Sequence, residues 1–211
     1  APVGLEVQPA PAGDPLRSAW DLKGKFVVAY SGNLGRVHDL DPVLTVASVL
    51  PLESGIVFPF VGAGAQRGAL EQKAAVMGLS NVRFYPAQPR RKLAETLALG
   101  DVHLVTLHPR CAALVFPSKF YGITAVGRPV LYIGPRNCAL ARLITEQHLG
   151  AVFSRDEVTA MAQALRELAA DGVGRLAAGK AAAEFSRSEG RLNHALASWT
   201  ALLARDAACR A

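Results

Sequence analysis

The sequence predicts an α/β protein built on a doubly wound parallel sheet of about six strands, with a helical carboxyl-terminal tail. Three observations predict this fold. Short continuous apolar runs, typical of strands covered on both faces, recur along the chain. Segments with helical periodicity separate these runs, and the last part of the chain carries helical patterns alone. Such an alternation favours a Rossmann-like sheet with the strand order 3-2-1-4-5-6.

The predicted strands are the apolar runs, which span residues 26–30, 56–61, 102–107, 129–133 and 151–153. A further run, 81–85, alternates in polarity and fits an edge strand. Pro59 fits its strand poorly, because proline has no N–H for a ladder hydrogen bond. We therefore expect either a bulge at Pro59 or a misplaced strand.

The predicted helices between the strands span residues 41–50, 67–77, 92–99, 118–126 and 139–146. In the tail, Ser154 and Glu157 have the spacing of a capping box and predict the start of a helix that ends at Asp171. A second tail helix is expected over 173–186. A third carries an apolar stripe, for which core packing is the simplest interpretation; its members are Leu192, Leu196, Trp199 and Leu203.

Length and composition indicate one ordinary globular domain. The chain has 211 residues, of which 51% are hydrophobic and 19% charged. No run approaches the roughly 18 apolar residues of a membrane span, and no signal-peptide pattern opens the chain. The first residues are rich in proline, alanine and glycine, which predicts a linker over residues 1–21 and a folded domain over 22–211. The chain is interpreted as a fragment of a longer protein.

Charge and cysteine content narrow the class of partner. A net charge of +6 suits nucleic acid, an anionic membrane or a phosphate-bearing ligand. Only residues 90–92 form a basic run, and no aromatic residues interleave with it, so we expect no nucleic-acid partner. Three widely spaced cysteines, Cys111, Cys138 and Cys209, argue against a disulfide framework and against a zinc site. They favour a reducing, cytoplasmic location.

Candidate binding residues follow the strands, because ligands of open α/β sheets bind beyond the carboxyl ends of the strands. Gly32 and Gly35 follow the first strand and allow close backbone approach, with Arg36 and His38 as nearby donors. Ser118 is a favoured N-cap residue, and Lys119 adds a cation in the first helical turn. The N–H groups after Ser118 and the lysine together predict an anion site. A plain strand-to-helix turn and a solvated lysine are the structural alternatives.

Gly62 and Gly64 follow the second strand and raise the possibility of a dinucleotide site. The next glycine is Gly68, which is the wrong spacing for G-x-G-x-x-G, and no acidic residue closes the following strand. An NAD-dependent oxidoreductase is therefore the weaker hypothesis. Patterns for a Ser/His/Asp triad, a nucleophile elbow, HExxH or a P-loop are missing, so catalytic residues stay unassigned.

Taken in order, these segments resemble the carboxyl-terminal, donor-binding domain of the group 1 retaining glycosyltransferases of GT-B fold, in the branch that makes bacterial polysaccharides. The resemblance extends from about Lys25 to Leu203. The segments that carry it are residues 30–35 with His38, 60–64, 78–84, 117–122, 125–131 and 141–144.

The resemblance implies a nucleotide diphosphate sugar donor, UDP-linked, lying across the carboxyl edge of the sheet. It also implies a separate amino-terminal acceptor domain, absent from this chain, and a lipid-linked saccharide acceptor at the inner face of the cytoplasmic membrane. No cofactor and no metal are implied, and the chain alone is expected to be inactive. The implied donor-binding residues are Gly32, Asn33, Gly35, Arg36, His38, Gly62, Gly64, Gln88, Ser118, Lys119 and Gly122.

Two departures from the family pattern are visible. Many members carry an arginine and a lysine for the diphosphate where this chain has Asn33 and His38. Arg36 or Lys119 is expected to supply the lost charge. Many members also carry two glutamates separated by seven residues, one of which touches the ribose; those positions fall here on Leu114 and Gly122. The sugar and ribose contacts are therefore expected to differ, and a non-catalytic nucleotide-binding module stays open as an alternative.

Overall fold

A six-stranded parallel sheet organises the protein in a computed structural model that describes residues 15–188, 199–201 and 203. The strand order is β3-β2-β1-β4-β5-β6, and every neighbouring pair is parallel. This confirms the doubly wound fold and its strand order. The strands are β1 (Phe26–Ser31), β2 (Ile56–Val61), β3 (Val82–Tyr85), β4 (Val102–Thr106), β5 (Val130–Ile133) and β6 (Gly150–Phe153).

Helices cover both faces of the sheet. They are α1 (Pro15–Ala19), α2 (Asp41–Val49), α3 (Arg67–Val76), α4 (Leu93–Ala98), α5 (Lys119–Ala125), α6 (Ala139–Glu146), α7 (Val158–Ala170) and α8 (Gly172–Arg187). One face packs against α2, α3 and α7. The other packs against the remaining helices, which are α1, α4, α5, α6 and α8. The sheet is thus buried on both sides, which explains why its strands read as continuous apolar runs.

Pro59 lies inside β2 without a bulge. The offset between paired residues of β1 and β2 is constant on both sides of Pro59, and Pro59 itself lies opposite Arg83 of β3. The pairing between β1 and β2 is interrupted at Phe58 and Pro59, because proline has no N–H to donate. The expectation of a bulge or a misplaced strand was therefore wrong.

The stretch expected to be a linker ends in a short helix. In α1, Leu16 is buried, and Leu22 beyond the helix is fully buried. Arg17 fixes this helix to the segment between α4 and β4, since it donates to the carbonyl of Leu99 at 2.9 Å and pairs with Asp101 at 2.9 Å. Residues 1–14 lie outside the described part of the chain, and the domain boundary stays a prediction.

One of the two hydrogen bonds of the predicted capping box is present at the start of the tail, and Glu157 rather than Ser154 is the N-cap residue of α7. The Glu157 carboxylate accepts a hydrogen bond from the backbone N–H of Ser154 at 2.6 Å, directly before α7. Of the apolar stripe expected on a third tail helix, Leu192 and Leu196 lie outside the described residues. Trp199 and Leu203 are 60% and 65% exposed, so the core-packing interpretation was wrong for these two. None of the described helices is long and apolar enough to cross a membrane.

Candidate functional site

Two adjoining cavities open at the carboxyl edge of the sheet, with volumes of about 350 and 550 Å³. Both are lined by Ser31, Gly32, Asn33 and Leu93, so they form one continuous cleft. The cleft lies beside β1 and β4, where the strand order reverses. Its position and size are those of a small-molecule site in an open α/β sheet.

The loop after β1 is held in place by hydrogen bonds from its neighbours. The amide of Gly32 donates to the Val61 carbonyl at 2.9 Å, and the amide of Leu34 donates to Ala63 at 2.8 Å. The Gln66 side chain donates to the carbonyls of Gly35 and His38 at 2.6 and 2.9 Å. Because the backbone of this loop is anchored on the loop after β2, it offers a fixed wall to a ligand.

Two glycines make this contact between the loops possible. A Cβ atom on Gly62 would lie 1.9 Å from the Gly32 carbonyl oxygen, and one on Gly64 would lie 2.5 Å from the Leu34 oxygen. Both glycines have φ near the upper end of the positive range, at +154° and +153°. Any side chain at Gly62 or Gly64 would push the two loops apart.

Lys119 projects an unpartnered ammonium group into this region. Its Nζ atom is buried and has no hydrogen-bond partner. It lies 3.6 Å from the centroid of the Tyr30 ring, a cation–π contact that compensates part of the lost hydration. Burial lowers the pKa of Lys119 to about 7. A buried cation without a polar partner is unfavourable on its own, so its position favours an anionic ligand.

His38 is the second basic group of the larger cavity. It is 8% exposed, and its Nδ1 atom lies 2.7 Å from the carbonyl oxygen of Thr106. A carbonyl only accepts, so Nδ1 carries the hydrogen, and in the neutral ring Nε2 is an acceptor. Burial and the charge of Lys119 lower the pKa of His38, while the hydrogen bond to Thr106 opposes them.

The cleft brings together most of the predicted donor-binding residues. Gly32, Asn33, His38, Ser118, Lys119 and Gly122 line the larger cavity. Gly32, Asn33, Gly62 and Gln88 line the smaller one. Gly35, Arg36 and Gly64 line neither cavity. Gly35 packs against the Asn33 amide instead, and Arg36 is exposed, so Lys119 is the residue that brings charge to the cleft.

The start of α5 differs from the predicted anion site. Ser118 is the N-cap residue of α5, as predicted, but its side chain makes no capping hydrogen bond. The amides of Phe120 and Tyr121 donate to the carbonyls of Pro117 and Ser118 at 3.1 and 3.2 Å. These two N–H groups are already bonded within the turn and are therefore not free to bind an anion.

The two positions at which the resemblance implies glutamates contribute no carboxylate. Leu114 is 82% exposed and lines neither cavity. Gly122 is buried, and a Cβ atom there would lie 3.0 Å from Leu97 Cδ1. Among the described residues that line the cleft there is no aspartate and no glutamate. The cleft is thus a basic and otherwise uncharged environment.

Several residues of the cleft were missed by sequence reasoning. Tyr30 supports the Lys119 ammonium, and Thr106 orients His38. Leu93 and Thr96 enter from α4, and Phe116 stacks on Tyr121 with 5.5 Å between ring centroids. The aromatic residues around Lys119 were a usable signal, because three of them lie within four positions of it. The roles of Tyr30 and Thr106 depend on tertiary contacts alone.

Comparison with known proteins identifies the family of this chain. The model for glycosyl transferases group 1 matches residues 15–185. A putative colanic acid biosynthesis glycosyl transferase, WcaI of Escherichia coli K12, is 39% identical over 115 residues, which are 54% of this chain and 28% of WcaI. The probable glycosyltransferase WbjE of Pseudomonas aeruginosa is 29% identical over 164 residues, 77% of this chain and 41% of WbjE. The chain therefore spans less than half the length of these curated relatives.

Solved structures show the same fold. WaaG, a glycosyltransferase involved in lipopolysaccharide biosynthesis, aligns with a TM-score of 0.69 at 20% identity, over 85% of this chain and 48% of WaaG. Anabaena HepE in complex with UDP-glucose aligns at 0.68 and 17%, over 81% of this chain and 46% of HepE. The carboxyl-terminal domain of the group 1 protein LpcC from Francisella tularensis aligns at 0.70 and 15%, over 88% of this chain and 96% of that domain.

Proposed function

This chain belongs to the group 1 glycosyl transferases, and we propose that it binds the nucleotide diphosphate sugar, a UDP-sugar, for a retaining transfer. The observation that carries the proposal is the buried, unpartnered Lys119 ammonium in a cleft whose described lining has no carboxylate. UDP-glucose bound to HepE, which shares the fold, supports a uridine nucleotide. Family membership displaces the NAD-dependent oxidoreductase hypothesis.

In this proposal the diphosphate lies against both Gly32 and Lys119, which are neighbours in the cleft. The backbone of Gly32 allows close approach, and Lys119 Nζ would lie only 3.5 Å from a Cβ atom at that position. The parts of the cleft on either side of residues 31–33 then accommodate the nucleoside and the sugar. When the bond from the anomeric carbon to the phosphate oxygen breaks, negative charge grows on the diphosphate. A preorganised cation at Lys119 stabilises that charge.

A second domain of the same enzyme is proposed to supply the acceptor site. The short coverage of WcaI and WbjE supports this, because each is more than twice as long as the matched region. The printed roles of WcaI and WaaG in colanic acid and lipopolysaccharide biosynthesis support a lipid-linked or saccharide acceptor. Such an acceptor would place the enzyme in the cytoplasm, peripherally at the inner membrane face.

The test of donor binding is a titration of UDP followed by NMR chemical shifts. We expect UDP to shift the amide signals of residues 31–33, and NAD at the same concentration to leave them unchanged. A charge-assisted contact contributes about 1.5–3 kcal/mol, so Lys119→Ala should weaken UDP binding on the order of tenfold or more. The matched control is Lys180→Ala, at an exposed lysine of α8. Equal affinity of both variants and the unmodified chain would remove Lys119 from the site.

A further inference from the structure

We propose that donor binding is coupled to proton uptake by Lys119 and His38, so that this chain binds a UDP-sugar more tightly as the pH falls. The inference rests on the proposed function and adds to it a property of the two basic residues of the cleft. The property follows from the contacts that Lys119 and His38 make in the chain without ligand.

Lys119 is placed where its ammonium is poorly stabilised in the free chain. Its Nζ atom is buried, donates to no polar partner and lies 3.6 Å from the centroid of the Tyr30 ring. The Tyr30 hydroxyl is bonded elsewhere, since it donates to the Asn33 carbonyl at 2.7 Å. Loss of hydration therefore disfavours the charged form, and the pKa of Lys119 is about 7. Near neutral pH, part of the free molecules lack this charge.

His38 is held so that one ring orientation serves both protonation states. Nδ1–H donates to the Thr106 carbonyl in the neutral and in the charged ring. In neutral His38, Nε2 carries a lone pair, and this lone pair repels a phosphate oxygen. Protonation converts Nε2 into a donor without moving the ring. His38 lines the same cavity as Lys119, and the charge of Lys119 disfavours protonation of His38 in the free chain.

The other titratable groups near this pair do not replace the missing negative charge. Burial raises the pKa of Tyr30, so Tyr30 stays neutral. His103 of β4 is fully buried, and burial lowers its pKa to about 4, so it is neutral as well. Asp39 follows His38 in the chain, but it faces Arg155, whose Nε lies 3.5 Å from Oδ2. Asp39 lines neither cavity, in contrast to His38 and Lys119.

A bound diphosphate supplies the negative charge that both residues lack. An anion within contact distance favours the charged form of a base, so the pKa values of Lys119 and His38 both rise in the complex. Above about pH 7, free Lys119 and free His38 are both mostly neutral, and each takes up a proton when the ligand binds. At lower pH, Lys119 already carries its proton and only His38 takes one up. The affinity should therefore fall as the pH rises, by up to about tenfold per pH unit for each proton taken up.

The test is the dissociation constant of UDP-glucose, measured by NMR titration from about pH 5.5 to 8.5. UDP-glucose is used in place of UDP because its diphosphate is a diester and carries a fixed charge in this range. We expect the constant to rise with pH, by up to about tenfold per unit below pH 7, where His38 alone takes up a proton, and more steeply above pH 7, where both residues do. Lys119→Met should weaken binding and reduce the slope above pH 7 to the part that His38 contributes. His38→Gln should flatten the dependence below pH 7 and leave a slope of up to about tenfold per unit above it, from Lys119 alone.

The controls below separate a failure of the proton coupling from a failure of donor binding. Lys180→Met, the same substitution at an exposed lysine, should reproduce the pH dependence of the unmodified chain. The long-range ¹H–¹⁵N spectrum of the His38 ring should show a neutral Nδ1–H form in the free chain at pH 7, and two protonated nitrogens with ligand bound. Binding that is independent of pH would overturn the proton coupling and leave donor binding intact. No binding of UDP-glucose at any pH would overturn the proposed function itself.

Discussion

Gly122 occupies the position at which the family resemblance implies a glutamate that touches the ribose. Two features of the structure argue against simple restoration of that contact. A Cβ atom at Gly122 would lie 3.0 Å from Leu97 Cδ1, so the leucine must move. A carboxylate at this position would also be three residues from Lys119 on α5, the spacing at which helical side chains interact.

Gly122→Glu should therefore weaken UDP binding, on the order of tenfold, because the new carboxylate pairs with the Lys119 ammonium that the diphosphate needs. Calorimetric titration of UDP measures the effect. Gly122→Gln has the same size without the charge, and it should cost less affinity. Tighter binding by the glutamate variant would show that the ribose contact is simply missing and that the space at Gly122 admits it.

Burial of His103 makes the unfolding free energy of the protein depend on pH. Its Nε2 lies 2.6 Å from the Leu97 carbonyl, and its Nδ1 is buried without a hydrogen-bond partner. Burial is the main reason that the folded-state pKa of His103 is about 4, below the unfolded value of 6.5. The unfolded chain therefore binds a proton before the folded chain does as the pH falls.

The stabilisation from neutral His103 is fully present above pH 6.5 and is lost progressively as the pH falls towards 4. The expected loss of unfolding free energy over this window is about 3 kcal/mol. Urea unfolding at a series of pH values measures it. His103→Gln should have a shallower pH dependence than the unmodified chain, although it is less stable at pH 7. Parallel curves for the two proteins would contradict the assignment.

The secondary structure elements were largely predictable from the sequence, for a physical reason. A strand buried on both faces is mostly apolar, so β1, β2, β4 and β5 were visible as apolar runs to within one residue of their observed ends. Helix α1 was not visible, because five residues inside a proline-rich stretch show no helical period. Pro59 was misjudged because sequence rules treat each strand alone, whereas β2 keeps its pairing with β3 around the proline.

The packing of α5 against α8 depends on the close approach of two glycines, Gly127 and Gly179. Gly127 follows α5 with φ +65°, and Gly179 of α8 lies against it. A Cβ atom on Gly179 would be 2.5 Å from the Gly127 carbonyl oxygen, and this backbone atom cannot move without moving the end of α5. The close approach of the two helices therefore requires glycine at 179.

Gly179→Ala should lower the unfolding free energy by about 1–3 kcal/mol, through overpacking at this contact. A loss of unfolding free energy would be informative, because replacing glycine by alanine inside a helix normally stabilises the helix by about 1 kcal/mol. Gly172→Ala is the control in the same helix, since the atom nearest to its added Cβ is a guanidinium nitrogen of Arg175 at 3.9 Å. Urea unfolding should show a loss for Gly179→Ala and no loss for Gly172→Ala.

At the scale of the whole molecule, the sequence located the cleft but not its arrangement. Because all strands are parallel, the segments after them necessarily meet at one edge, and this brought Gly32, Gly62, Gln88 and Lys119 to a common site. The same rule placed Arg36 there, yet its side chain is exposed and lines neither cavity. Direction of a side chain within a loop depends on the packing of its neighbours, and a sequence pattern does not specify it.

The chain alone should bind UDP but should not transfer or hydrolyse sugar beyond background. The physical reason is that this half of the proposed site holds the diphosphate from one side, while exclusion of water and completion of the contacts require a second domain that closes over the donor. The measurement is UDP released from UDP-glucose over time, on a preparation whose UDP binding has been verified by NMR. Lys119→Ala serves as the background reference, because it lacks the proposed diphosphate contact. Steady release of UDP by the unmodified chain, above that reference, would show that one domain suffices for catalysis and that the two-domain proposal is wrong.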